Sequence, residues 1–192
     1  RSRLWLARCG SAGHESAMSF QKFRDGSWRS RAVSAADAVR KIESGHRVFV
    51  LGAAATPLAL LDSLADRADL ENVELYHLHL AGPCRFADRS HAGRLHSISL
   101  FTGPGLRESV AEGRADFLPI FLSDIPDLFR TRQVPLDVAL VQLSSPDAHG
   151  FCTLGTSVDA ARAAVDSARL IVAEFNEQMP RTHGHSTVRF DK

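Results

Sequence analysis

No apolar run in this sequence reaches the roughly 18 to 20 residues that a membrane-crossing helix requires, so no membrane partner is expected. Charge of one sign is also missing: 23 Lys and Arg stand against 22 Asp and Glu, a formal net charge of +1. Without a global basic field there is nothing to supply the phosphate attraction on which nonspecific nucleic-acid binding rests, and no nucleic-acid partner is expected either. Cysteine is scarce. The three thiols, Cys9, Cys84 and Cys152, lie far apart and form no CxxC pair, which argues against a disulfide framework or a structural zinc site and points to a reducing compartment. Internal repeats and low-complexity segments are absent as well.

What remains is a globular composition, 44% hydrophobic and 23% charged over 192 residues, enough for one sizeable core. From Ser34 onward short β-rich runs alternate with helical patterns. The runs are 47–51 (RVFVL), 73–80 (VELYHLHL), 95–101 (LHSISLF), 117–121 (FLPIF), 137–143 (DVALVQL) and 170–175 (LIVAEF). Helical spacing of apolar residues marks 35–44, 57–68, 105–112, 125–131 and 158–167, with Ser34, Thr56 and Ser157 at N-cap positions and Pro57 at a first helical position. This alternation predicts an α/β fold, a mostly parallel sheet flanked by helices. Residues 1–32 are set aside as an N-terminal tail. Arg1, Arg3 and Arg8 with Ser and Gly, and Glu15 as the one acid among the first twenty, fit the remnant of a mitochondrial transit peptide or a plain terminus. From Met179 onward the chain turns polar and aperiodic, as a connection would.

Several segments could carry chemistry. Residues 51–57 (LGAAATP) follow a strand and open a helix, so Gly52, Ala53, Ala54, Ala55 and Thr56 predict either a backbone cradle for an anion or carbonyl oxygen, or tight backbone packing. The segment is not a P-loop and lacks the G-x-G-x-x-G spacing. Residues 144–150 offer Ser144, Ser145, Asp147 and His149, but with no G-x-S-x-G elbow they read as a turn built by Pro146 and Gly150. His77 and His79 share a strand face by alternation, and His183 and His185 repeat the spacing. Neither pair has a third ligand in sequence, so no metal is expected. Cys84 and Cys152 read as inert thiols. Glu174 reads as a nucleophile or as a surface charge or salt-bridge partner, and Arg181 as a bidentate substrate clamp or a clamp on the chain itself.

Three stretches, 102–129 (TGPGLRESVAEGRADFLPIFLSDIPDLF), 148–164 (AHGFCTLGTSVDAARAA) and 178–184 (QMPRTHG), resemble the acetyl-CoA hydrolase/transferase family, which includes acetate and 4-hydroxybutyrate CoA-transferases. The resemblance runs from about Val33 to His183. It implies an N-terminal α/β domain over 33–184, with 185–192 starting the connection to a C-terminal catalytic domain beyond Lys192. It also implies that coenzyme A is a substrate rather than a resident cofactor, moved between an acyl-CoA and a short-chain carboxylate through a glutamate of that second domain. Catalytic residues are therefore not expected in this chain. Gly52, Ala53, Ala54, Ala55, Thr56, Gln178, Met179, Pro180 and Arg181 would line the acyl-acceptor side facing the other domain. The same resemblance carries the expectations of a homodimer and of an isolated chain without activity, while the basic N-terminal composition carries that of a mitochondrial matrix, or otherwise cytoplasmic, location. The rivals are an acetyl-CoA hydrolase, a ligand-binding module of the same fold and a scaffolding subunit.

Overall fold

Short runs rich in Val, Ile, Leu and Phe suit strands buried on both faces. In the computed structural model, which describes residues 3–8 and 27–190, such runs form β2 (Arg47–Val50), β3 (Val73–His77), β4 (Leu95–Ser99), β6 (Val138–Ser144) and β8 (Leu170–Asn176). With β5 (Ala115–Phe117) at one edge and β1 (Arg3–Arg8) at the other they build a seven-stranded sheet of order β1-β8-β6-β2-β3-β4-β5. Strands β2 to β6 and β8 run parallel, and β1 pairs antiparallel with β8 from Arg3↔Phe175 to Arg8↔Leu170. A separate antiparallel ribbon joins β7 (Phe151–Thr153) to β9 (Thr187–Arg189). The α/β class and the mostly parallel sheet expected from the sequence are thus present.

Alternation along the strands divides the core in two. Val48, Val50, Val138, Leu140 and Val172 face α1 (Ala35–Val39) and α2 (Leu58–Ala65), where Ala38, Val39, Leu60, Leu61 and Leu64 close one layer. Phe49, Ala139, Val141, Ile171 and Ala173 face the other way, onto α4 (Ile125–Arg130) and α5 (Ala161–Ser167). There Phe49 meets Phe129 edge to face at 5.5 Å. The short α3 (Arg107–Ala111), extended by a 3₁₀ turn at Pro104–Leu106, precedes β5.

Element ends depart from the sequence reading for local reasons. The run at 117–121 is not the strand: β5 stops at Phe117, because Pro119 offers no N–H to continue a ladder. The strands in the runs at 73–80 and 95–101 end at His77 and Ser99, with Leu80 making an isolated bridge to Ala53. The helix expected over 35–44 ends at Val39, and 57–68 and 158–167 form helices only over Leu58–Ala65 and Ala161–Ser167. Ser34 caps α1 by accepting from the Asp37 N–H at 3.1 Å. Ser157 is buried well short of α5, and Pro57 lies just outside α2 rather than inside it. Three segments outside 33–184 also belong to the described fold, β1 and the 3₁₀ turn Ser27–Arg31, whose Trp28 is in the core, on one side and β9 on the other. Phe190 is buried, stacked on Phe175 at 5.7 Å and set edge-on to Trp28 at 6.3 Å. The alternation of Val188 and Phe190 with polar neighbours is the pattern of a half-buried strand too short to register as a period.

Candidate functional site

The chain leaves β2 toward α2 on one face of the sheet and leaves β6 toward α5 on the other, so the carboxyl ends of these adjacent parallel strands bound a topological switch point. Open α/β sheets bind ligands in the crevice at such a point. Three segments singled out from the sequence emerge along this edge: 51–57 after β2, 144–150 after β6 and 176–184 after β8.

The first is a packed turn. A Cβ on Gly52 would lie 2.5 Å from the backbone oxygen of His79, so only glycine lets the two backbones approach. The Ala53 N–H donates to that same oxygen at 2.9 Å, with Ala53 itself in the left-handed region at φ +52°. Ala55 N–H donates to Gly52 O, and Thr56 N–H to Ala53 O. Thr56 is no helix cap: its Oγ1 donates to Ala53 O at 2.8 Å and accepts from Ala81 N–H at 3.0 Å, pinning the β2 loop to the β3 loop. Of the two readings of this loop, packing thus accounts for the N–H groups of Ala53, Ala55 and Thr56. Ala53 and Ala54 form its outer surface, while Gly52, Ala55 and Thr56 are buried.

Past β8, Gln178 and Pro180 are exposed and Met179 is buried. Met179 lies where a side chain on Gly155 would be: a Cβ there would fall 2.3 Å from the Met179 sulfur, and Gly155 has φ +63°. Arg181 reaches back over the β6 loop, donating to Ser145 O at 3.1 Å and Phe151 O at 3.2 Å and pairing with Asp147 Oδ2 at 3.1 Å. Its guanidinium clamps the chain. Asp147 in turn accepts from the N–H groups of His149 (2.8 Å) and Phe151 (2.9 Å) through Oδ1, and Gly150 turns at φ +79°. The 144–150 loop is the turn expected. The β2 and β8 segments lie on the same edge with β6 between them, and Arg181 joins the β8 segment to the β6 loop.

Other candidates separate. His77 and His79 do not share a strand face, because β3 ends at His77. The His77 ring is fully buried, with Nδ1 on Leu78 O; a carbonyl only accepts, so Nδ1 carries the proton and Nε2 accepts from the Ser97 hydroxyl at 2.8 Å. Burial pushes its pKa down to about 4. His79 is exposed, edge-on to Phe101 at 5.5 Å. Among the described residues no group of three or more His, Cys, Asp or Glu is placed to hold a metal ion. Burial pushes the Cys84 thiol up to about 11, and the Cys152 thiol higher still, so both stay protonated. Cys9 lies outside the described residues. Ser144 Oγ accepts from Thr153 N–H at 3.0 Å.

Glu174 is no surface charge: it is 5% exposed and faces Gln142 across β6 and β8. Gln142, Ser144, Glu174 and Asn176 form a polar row at the carboxyl end of the face that is otherwise lined by valine and leucine. Asn176 Nδ2 donates to Gln142 Oε1 at 3.1 Å. Sequence reasoning passed over Gln142 and placed Ser144 only in a turn, without joining either to Glu174 and Asn176. Their signal was two polar residues, two positions apart, at the same end of two apolar strands.

The acetyl-CoA hydrolase/transferase N-terminal domain model matches residues 17–189. A succinyl-CoA:acetate/propanoyl-CoA:succinate CoA transferase of Fasciola hepatica is 46% identical over 152 residues, covering 78% of this chain. A 4-hydroxybutyrate coenzyme A transferase of Clostridium kluyveri is 36% identical over 162 residues, covering 84%. The crystal structure of RipA from Yersinia pestis superposes with a TM-score of 0.77 at 26% identity, over 82% of this chain and 39% of that one. The chain spans 31% and 38% of the length of the two curated relatives. With its open parallel sheet and a family match that runs from before α1 into β9, the chain belongs to the acetyl-CoA hydrolase/transferase family, as its N-terminal domain.

Proposed function

We propose that this chain is the N-terminal domain of a CoA-transferase that moves CoA between acetyl-CoA, or a similar acyl-CoA, and a short-chain carboxylic acid. The observation that carries this reading is the 46% identity with a CoA transferase across most of the chain. The arrangement of the switch-point edge suits it. Ala53, Ala54, Gln178 and Pro180 present a neutral surface over a buried, hydrogen-bonded base, which can position a substrate without adding a competing nucleophile.

In this reading the nucleophile is a glutamate of a second half, beyond Lys192. Its carboxylate attacks the acyl-CoA carbonyl, CoA leaves as the thiolate, and an acyl-glutamyl anhydride forms. The thiolate then attacks the glutamyl carbonyl, releasing the first carboxylate and leaving a glutamyl-CoA thioester, which the second acid resolves by the same two steps in reverse. The anhydride preserves the thioester's free energy that water would dissipate, so the site has to exclude water. The present domain would supply the acyl-acceptor wall from Gly52–Thr56 and Gln178–Arg181. Residues 185–192 would lead toward the second half, with β9 fastening that approach to the first. A homodimer, and CoA held only as substrate, complete the proposal. A mitochondrial matrix location rests on the basic N-terminal composition alone; cleavage beyond Arg8 would remove β1 from the sheet.

The test is the mass of the native polypeptide, followed by an assay of acetyl-CoA with butyrate. A chain of more than twice this length that forms butyryl-CoA only when butyrate is present supports the proposal. CoA release independent of the acid would make the protein a hydrolase, and a native end at Lys192 with no transfer would refute the transferase reading.

A further inference from the structure

Strand β3 ends at His77, where the Leu100 N–H still donates to His77 O at 2.8 Å. The chain then runs through Leu78, His79, Leu80 and Ala81 alongside the β2 loop, and three contacts join the two. Ala53 N–H donates to His79 O at 2.9 Å, Leu80 bridges Ala53, and Ala81 N–H donates to Thr56 Oγ1 at 3.0 Å. Residues 78–81 are therefore the strut against which Gly52–Thr56 is set, and the direction of the His79 carbonyl decides where Ala53 can stand.

Burial alone does not orient this strut. Leu78 and Leu80 enter the cores on opposite faces of the sheet, but apolar burial is non-directional and does not aim a carbonyl. A buried carbonyl past the end of a ladder also needs a donor. The carbonyl of buried Leu78, one peptide before that of His79, finds it in Nδ1 of the His77 ring at 2.5 Å. The ring is fixed in turn. It is fully buried, its Nε2 accepts from the Ser97 hydroxyl at 2.8 Å, and buried Phe86 sits edge-on to it at 6.0 Å. Burial keeps the imidazole neutral, with its pKa pushed down to about 4, so one nitrogen donates while the other accepts. No step of the chemistry proposed above uses this ring.

We propose that His77 is a positioning residue for the candidate acyl-acceptor wall: through the Leu78 carbonyl it sets the 78–81 strut, and through the strut it sets Gly52–Thr56. The kinetic consequence rests on the transferase reading proposed above, whereas the structural one does not. A wall that shifts no longer holds the acid in line for attack, which costs rate although His77 touches no substrate.

Amide hydrogen exchange on the native-length protein, read by peptide mass, tests the structural half, and CoA transfer from acetyl-CoA to butyrate tests the kinetic half. His77→Leu removes the donor and keeps an apolar side chain; His77→Asn returns an N–H close to the place of Nδ1. In the Leu variant segments 51–57 and 78–82 should exchange about tenfold faster than in the parent, with 138–144 of β6 unchanged. Its kcat/KM for butyrate should fall by about tenfold. The Asn variant should bring both back to within about threefold of the parent. Unchanged exchange in 51–57, or an Asn variant no better than Leu, would overturn the proposal whatever the activity. Faster exchange with kcat/KM untouched would overturn the role in the reaction. Should the Leu variant fail to fold, Ser97→Ala takes its place: loss of the hydroxyl on Nε2 frees the ring, and the same two segments should exchange about threefold faster. No change there overturns the proposal. A parent that transfers no CoA to butyrate would sink the transferase reading, and the exchange comparison would still decide whether His77 sets the strut.

Discussion

Replacing Gly52 with alanine should destabilise the protein far more than one methyl group suggests. The new Cβ would lie 2.5 Å from the backbone oxygen of His79, and no rotamer change relieves a clash between two backbones. The ends of β2 and β3 would have to separate. Overpacking of this kind costs about 1–3 kcal/mol. Separation also loosens the Ala53 N–H to His79 O bond and the Thr56 bridge to Ala81, each worth about 0.5–1.5 kcal/mol. The sum is about 2–6 kcal/mol, and at about 2–4 °C per kcal/mol for a domain of this size the melting temperature should fall by roughly 4–24 °C. Gly45→Ala is the reference. Gly45 has φ +77° with nothing within 4 Å of a Cβ, so alanine there meets only the left-handed penalty of about 1–2 kcal/mol, part of which is offset by the stiffer unfolded chain. Thermal unfolding followed by circular dichroism compares the two. A Gly52→Ala protein melting no lower than Gly45→Ala would refute the packing argument and restore the open cradle as the reason for a glycine there.

Met179→Ala should cost about 2–5 kcal/mol, read by the same melts, because the side chain is buried under Gly155 and its loss leaves a cavity; a change within 1 kcal/mol would mean the β8 loop is not anchored there. His77 supplies a pH dependence. Burial lowers its folded-state pKa from 6.5 to about 4, so it folds neutral while the unfolded chain takes up a proton. Its contribution is present above about pH 6.5 and is lost as pH falls toward about 4. His77→Asn should flatten denaturant midpoints across that window relative to the parent, and an unchanged slope would sink the assignment.

The central strands could be read from sequence because burial on both faces leaves an unbroken apolar run, and β6 and β8 fall within a residue of their expected ends. The helices were overestimated because their apolar spacing continues into turns that pack without being helical, as Ile42 does after α1. The candidate segments were legible in their position on the sheet but not in detail. Residues 51–57 and 178–181 do sit at the carboxyl edge, yet what their groups do depends on partners far along the chain. Gly52 and Ala53 answer to His79, and Arg181 to Ser145, Asp147 and Phe151. Local pattern carries no trace of those pairings, which is why the sequence left both cradle and packing, and both substrate clamp and chain clamp, open. The same applies to β9, three residues whose strand character comes from β7.

Strand β1 has a consequence in time. Its six residues pair with β8, Arg3 opposite Phe175, across nearly the whole length of the chain. As the polypeptide emerges from the ribosome, β1 has no partner until β8, the last-made strand of this sheet, has appeared. Closure of so long a loop is entropically slow relative to the neighbouring β2–β3–β4 pairings. The outer edge of β8 is therefore the last part of the sheet to be covered, and until β1 arrives it is an open strand edge available to other nascent chains.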